Sequence, residues 1–286
     1  MEFIKKTFYI LIFLSFSHAF SQVSKTDSLR GRFTYLLKSK PNKLYPNQIY
    51  KELFSLQVGD NKAFFISEKQ LQLDSIFYSA LKPFQNKTNN TGLITVDFSG
   101  KSLPKTNSNF ILIQNSNETQ YFEKIGSTLL SYLTPNINNW ALKNEIKIIN
   151  SYKCRKAEVH FKGRDWIAWY SDEIAIPFGP YKFNSLPGLI IKISDKLGDY
   201  DFELVNSFPN NKLKGKIIEI DKSYFENPKI VSKIELSRAK NNFRESLINS
   251  PQFLGVNLTS EQKEKFRTEQ KNDEIEKKGY NPIELE

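Results

Sequence analysis

Cysteine occurs once in the 286-residue chain, at position 154, which excludes an internal disulfide and any zinc site built on paired cysteines. Histidine is almost as scarce: His18 lies in an apolar N-terminal stretch and only His160 remains beyond it. Methionine stops at Met1. A transition-metal or haem centre would have to rest on carboxylates, so no metal and no cofactor is expected. A Cys–His or Ser–His–Asp hydrolase would have a single imidazole to work with. Twelve Gly and twelve Pro are too few for a collagen-like fibre. Beyond residue 21 no run reaches the ~20 apolar residues that cross a bilayer as a helix.

What the chain does have is ring surface and basic charge. Twenty-three Phe and thirteen Tyr are too much apolar area to leave in water, so wholesale disorder is excluded. Residues 1–21 read as a signal peptide: Lys5 and Lys6, an apolar run from Phe8 to Phe16, then small Ala19 and Ser21 before Gln22. The expectation is export to the periplasm, the outer-membrane surface or the medium. The net charge of +10 serves either solubility or an anionic lipid or glycan partner. The tail from Lys229 is nearly balanced in charge, which argues against a nucleic-acid arm.

Period-two alternation dominates residues 22–228. Phe33, Tyr35 and Leu37 share one face of a strand, and Tyr50, Phe54, Leu56 and Val58 share a face of the next. Phe64 to Ile66 is a short apolar run. Ser67 reads as the N-cap of a helix carrying Leu71, Ile76, Phe77, Ala80 and Leu81, stopped by Pro83. Strands are expected at Gly92 to Phe98, Asn109 to Asn115, Thr119 to Ile125, Tyr200 to Phe208 and Lys214 to Ile220. The strongest signal runs from Ile146 to Ile193. Pro228 reads as the opening of a helix with Ile230, Ile234, Leu236 and Leu247 on one stripe, and Thr259 to Lys278 as a second. The expected fold is α+β, predominantly antiparallel β: one curved sheet or half-open barrel over residues 22–228, with residues 229–286 packed on it as C-terminal helices.

Residues 152–173 read as a hairpin turning at Gly163-Arg164, with Phe161 opposite Trp166 and Val159 opposite Ala168. Ala157, Val159, Phe161, Trp166, Ala168 and Tyr170 form the core face. Cys154, Lys156, Glu158, His160, Ile167 and Trp169 form the open one. Six strand residues hold Cys154 and His160 about 20 Å apart, too far for a nucleophile and its base. Beyond the hairpin, Pro187-Gly188 fits a type II turn with Gly supplying positive φ. Trp169, Tyr181, Lys182 and Phe183 are either part of a rigid corner or an exposed recognition patch.

The segment YKFNSLPGLIIKISD, Tyr181 to Asp195, resembles the signature of the GLPGLI family, secreted proteins of Gram-negative bacteria. Leu186, Pro187, Gly188, Leu189 and Ile190 carry the core of that string. Tyr152 to Ala157, Gly163-Arg164, Ala168-Trp169-Tyr170, Gly179 to Phe183 and the final Asn281-Pro282-Ile283-Glu284-Leu285 extend the likeness along the chain. Ser185 stands where the signature's first glycine would be, which bears on the turn geometry if that position needs positive φ. The resemblance implies export and supplies no catalytic residues.

Two function classes follow. A non-enzymatic envelope protein would hold a ligand in its sheet or present a sheet edge to another protein. A carboxylate-dependent hydrolase acting on an envelope glycan or peptide would draw on Asp165, Asp172, Glu173, Asp195 and Asp199. Calcium held near Asp195, Asp199 and Asp201 lacks regular ligand spacing. The binding protein is the favoured expectation.

Overall fold

A computed structural model describes residues 28–82, 102–208, 213, 216–218, 220–249, 259–261, 264, 268 and 278–286. The expected signal peptide and the strand expected at 92–98 lie outside the described residues, as does most of the second C-terminal helix.

The alternating segments become strands where their apolar sides meet. β1 (Gly31–Ser39) buries Phe33, Tyr35 and Leu37, and pairs antiparallel with β2 (Tyr50–Val58), which buries Phe54, Leu56 and Val58. β3 (Lys62–Ser67) is apolar on both sides because both faces are covered there. Ser67 caps α1 (Glu68–Leu81), its hydroxyl accepting from Lys69 N. The sheet continues through β4 (Phe110–Asn115), β5 (Glu118–Ile125), β6 (Thr128–Pro135), β7 (Ala141–Ile149), β8 (Tyr152–Phe161), β9 (Arg164–Ser171), β10 (Leu189–Asp195) and β11 (Tyr200–Phe208). β12 (Lys229–Ile230) runs parallel to β6 and precedes α2 (Lys233–Asn249).

The protein is therefore mostly β: one open sheet of twelve strands in the order β12-β6-β5-β4-β3-β2-β1-β11-β10-β9-β8-β7, antiparallel except at β12. β6 has no counterpart in the sequence reading. The C-terminal helix begins at Lys233 rather than after Pro228, because Ser232 and Glu235 close a capping box there: Ser232 N donates to Glu235 Oε2 and Glu235 N to Ser232 Oγ. Ile230 is spent on the sheet instead.

The β8–β9 hairpin turns on Lys162 and Gly163, not Gly163 and Arg164; both have positive φ (51° and 77°), as a two-residue type I′ turn requires. Phe161 consequently faces Arg164 and Val159 faces Trp166. The displacement is two residues, and side chains alternate with period two, so the core face survives, with Phe161 half-buried at its end. Ala157, Val159, Trp166, Ala168 and Tyr170 are all buried. Cys154 is the exception on this ribbon. The alternation breaks between Cys154 and Ala157, where β7 carries extra residues, and the thiol joins the main core instead of the open face.

Gly188 also departs from expectation. Positive φ falls at Ser185 (68°), not at Gly188. Gly188 is needed for a different reason: a Cβ there would lie 2.0 Å from the Ser171 carbonyl oxygen, so only glycine lets the loop run against β9. The loop's rings join the core in sequence, with Trp166 and Phe183 at 4.5 Å, Phe183 and Tyr181 at 6.1 Å, and Tyr181 and Phe202 at 6.5 Å between centroids. Such pairs add about 0.5–1.5 kcal/mol each beyond simple burial.

A left-handed Ser costs more than a left-handed Gly because its Cβ crowds the following carbonyl. Ser185→Gly is expected to stabilise the fold by a few tenths to about 1 kcal/mol in urea unfolding, whereas Gly188→Ala is expected to prevent native folding.

Candidate functional site

The segment from Gly179 to Gly188 is held from two sides. Gln114 of β4, fully buried, donates through Nε2 to the carbonyls of Gly179 (2.7 Å) and Tyr181 (2.6 Å). Asn184 donates to Thr119 Oγ1 and Asn136 Oδ1, both at 2.9 Å, while its own carbonyl accepts from the Trp140 indole (2.8 Å). These clamps force Tyr181 into a left-handed conformation (φ 54°) and drive its neighbour inward.

Lys182 is thus a buried lysine, 2% exposed. Its ammonium donates to Glu284 Oε1 (2.5 Å) and Tyr132 Oη (3.0 Å), and sits over the rings of Tyr132, Tyr181 and Tyr121 at 4.7, 5.4 and 5.8 Å. Glu284 also accepts from Tyr181 Oη (2.7 Å) and meets Lys233 Nζ, from the first residue of α2, at 2.7 Å. Beside this group Glu123 accepts from Tyr121 Oη (2.6 Å) and pairs with Lys240 of α2 (2.8 Å).

A second buried cation lies at the hairpin turn. Arg164, 3% exposed, donates through Nη1 to Asp195 (2.8 Å) and Asp199 (3.2 Å). Through Nη2 it reaches Asn281 Oδ1 (2.5 Å) and the Pro282 carbonyl (2.6 Å), and the guanidinium stacks over Tyr200 at 4.9 Å. Asp195 is itself fixed by the backbone N–H groups of Asp199 and Tyr200.

Both cations therefore point at the same piece of chain. Residues 278–286 form an extended tail whose Asn281 N donates to Pro41 O (2.9 Å) and whose Leu285 N donates to Lys162 O (3.0 Å). A Cβ on Gly163 would lie 2.8 Å from Leu285 Cβ, so that glycine serves the turn and the tail together. This buried polar clasp joins Gly163-Arg164, Gly179 to Phe183 and Asn281 to Leu285.

The expected recognition patch is corrected on exposure. Tyr181, Lys182 and Phe183 are buried, because the Gln114 and Asn184 clamps turn them into the core and the tail covers them. Trp169 is half-buried beneath Lys147, whose ammonium lies 5.9 Å from the ring. Of the signature residues, Leu186, Gly188, Leu189 and Ile190 are buried and Pro187 is exposed. Cys154 donates to Tyr152 O (3.4 Å), and burial pushes its pKa up to about 11, so it stays a thiol. His160 pairs with Asp165 on the open face (2.8 Å). Asp172 pairs with Arg155 and Asp201 with Lys192. Asp195 and Asp199 close on Arg164, and no group of three or more His, Cys, Asp or Glu among the described residues could hold a metal ion.

No protein-family model matches the chain, and a search of curated proteins returns no match. Among solved structures it is similar to PNGF-II in two crystal forms, P21 and C2, with TM-scores of 0.49 and 0.48 and 15% identity in each. Each alignment covers 76% of this chain and 34% of PNGF-II, so the chain spans about a third of that protein's length.

Burial would raise the pKa of Glu284, but the charge of Lys182 and the hydrogen bonds from Lys182, Lys233 and Tyr181 outweigh it and hold it below the ordinary 4.5. A carboxylate with a depressed native pKa favours the folded state when ionised. That contribution is complete above the unfolded value and drains away as pH falls through the native one. Protection of the amides along 280–286, taken relative to their intrinsic exchange rates, is expected to fall as pH drops below the ordinary carboxylate range. Glu284→Gln is expected to abolish that acid step and to cost about 3–5 kcal/mol at pH 7, since it strands Lys182 without a counter-charge. An acid profile unchanged by Glu284→Gln would contradict this assignment.

Proposed function

We propose that the chain is an exported, non-enzymatic envelope protein of the GLPGLI type that binds a partner protein by strand addition at β7. The observation that carries this reading is the asymmetry of the sheet's two ends. At one end β12 is two residues long and α2 lies against β5 and β6. At the other, β7 runs for nine residues, and no strand among the described residues pairs with its outer side. Leu142, Ile146 and Ile148 are 58%, 51% and 64% exposed along it. A long edge with free backbone donors, acceptors and aliphatic side chains is a template for another strand. The sheet also curls: Asn150, in the turn after β7, donates to Leu204 O of β11 (2.7 Å), and Tyr152 Oη meets Ser207 Oγ (2.9 Å), three strands away. These contacts anchor the end of β7.

The chemistry of the edge selects its partner. Lys143 and Lys147 alternate with Leu142, Ile146 and Ile148; Glu145 between them is paired with Lys156 of β8 (3.1 Å), so the two lysines set the sign of the edge and disfavour pairing with a second copy of it. Lys143 is held only at 3.9 Å from Glu158 and remains two-fifths exposed. An extended segment alternating aliphatic and acidic residues complements this pattern.

The full chain is expected to bind a labelled ten-residue peptide of alternating Val and Glu, read by fluorescence anisotropy, and to bind the Val/Lys counterpart about tenfold more weakly or worse. Lys143→Glu with Lys147→Glu is expected to reverse the preference. Equal binding of both peptides, or of neither, would refute strand addition at this edge.

A further inference from the structure

The tail reads as a ligand that the chain supplies to itself. Its contacts are those of a recognition site for an extended peptide, each with a separate chemical demand. Arg164 Nη2 forks onto two oxygens of the dipeptide, the Asn281 amide (2.5 Å) and the Pro282 carbonyl (2.6 Å). Asn281 Nδ2 donates in turn to Lys40 O (2.9 Å), and its own carbonyl accepts from Tyr200 Oη (2.6 Å), so every polar group of that residue is engaged. Proline supplies no N–H at the next position, where none is asked for. Two positions further on, Lys182, Tyr181 and Lys233 converge on one carboxylate. The guanidinium keeps one donor, Nε, buried without a partner among the described residues, so the tail does not saturate the groove.

We infer that this groove is a peptide-recognition site for an extended Asn-Pro-x-Glu segment, and that it takes a separate copy of residues 278–286 presented in trans when the chain's own tail is displaced. The groove is built by residues 40–43, the β8–β9 turn, the β10–β11 turn and the 179–185 loop, none of which belongs to the tail. Among the described residues of the C-terminal segment before the tail, α2 reaches Glu284 through Lys233. A tethered segment competes at an effective concentration of order millimolar, so occupancy in trans becomes visible once the tether is cut.

The test uses the full chain with a specific protease site inserted between Lys277 and Lys278, cut after folding, and a fluorescent Lys278–Glu286 peptide. One labelled peptide is expected to enter per chain by native mass spectrometry. Unlabelled peptides carrying Glu284→Gln or Asn281→Ala should compete about tenfold or more weakly than the parent. Equal competition by the altered peptides would overturn the inference. So would failure of the label to enter, or unfolding of the cut chain that added parent peptide does not reverse.

Discussion

Two cations withdrawn from water have to be neutralised where they stand. Removing an ammonium or guanidinium from solvent costs several kcal/mol even after relaxation, and the charge is tolerable only with close, well-aligned partners. Lys182 finds its carboxylate in the tail, and Arg164 completes its shell there with an amide and a carbonyl. The sheet is therefore unfinished until the last residues of the chain are seated. The left-handed Tyr181, the bare Cα at Gly163 and the Gln114 clamp all follow from delivering those cations to one groove.

Local pattern carried much of the architecture. Alternation at Phe33-Tyr35-Leu37 and Phe54-Leu56-Val58, the Ser67 cap and the strand from Tyr200 to Phe208 are each decided by neighbours within a few residues, and each is present. The hairpin's core face was legible even with its turn misplaced, because a two-residue slip leaves the faces unchanged. Cys154 was not, since the break in alternation depends on extra residues in another strand, β7. The clasp was invisible for a deeper reason. Arg164 and Asn281 are 117 positions apart, Lys182 and Glu284 are 102, and lysine is ordinarily a surface residue. The one local hint was that Gly163-Arg164, Gly179 to Phe183 and Asn281 to Leu285 stood out as separate strings; that they touch is a fact of the fold.

The same geometry separates structure from outward function. The motif-bearing side of the molecule is consumed by its own tail and core, which leaves the signature residues with packing and clamping roles. The outer side of β7, next to β8 in the sheet, keeps its backbone hydrogen-bonding groups and aliphatic side chains in the open, with lysines spaced between them. A partner that pairs there gains a sheet already ordered to its rim, so little of its binding energy is lost to arranging the receptor.

The most direct test of the central claim is a double-mutant cycle on the buried pair, using Lys182→Met, Glu284→Leu and their combination in urea unfolding at pH 7. Glu284→Leu strands the buried ammonium, and Lys182→Met leaves Glu284 with only Lys233 and the Tyr181 hydroxyl, while removing both leaves an apolar contact. The account predicts a double variant far more stable than the sum of the single losses, with a coupling of at least about 1.5 kcal/mol. Losses that add to within about 0.5 kcal/mol would contradict it, because the tail would then be held by something other than that ion pair.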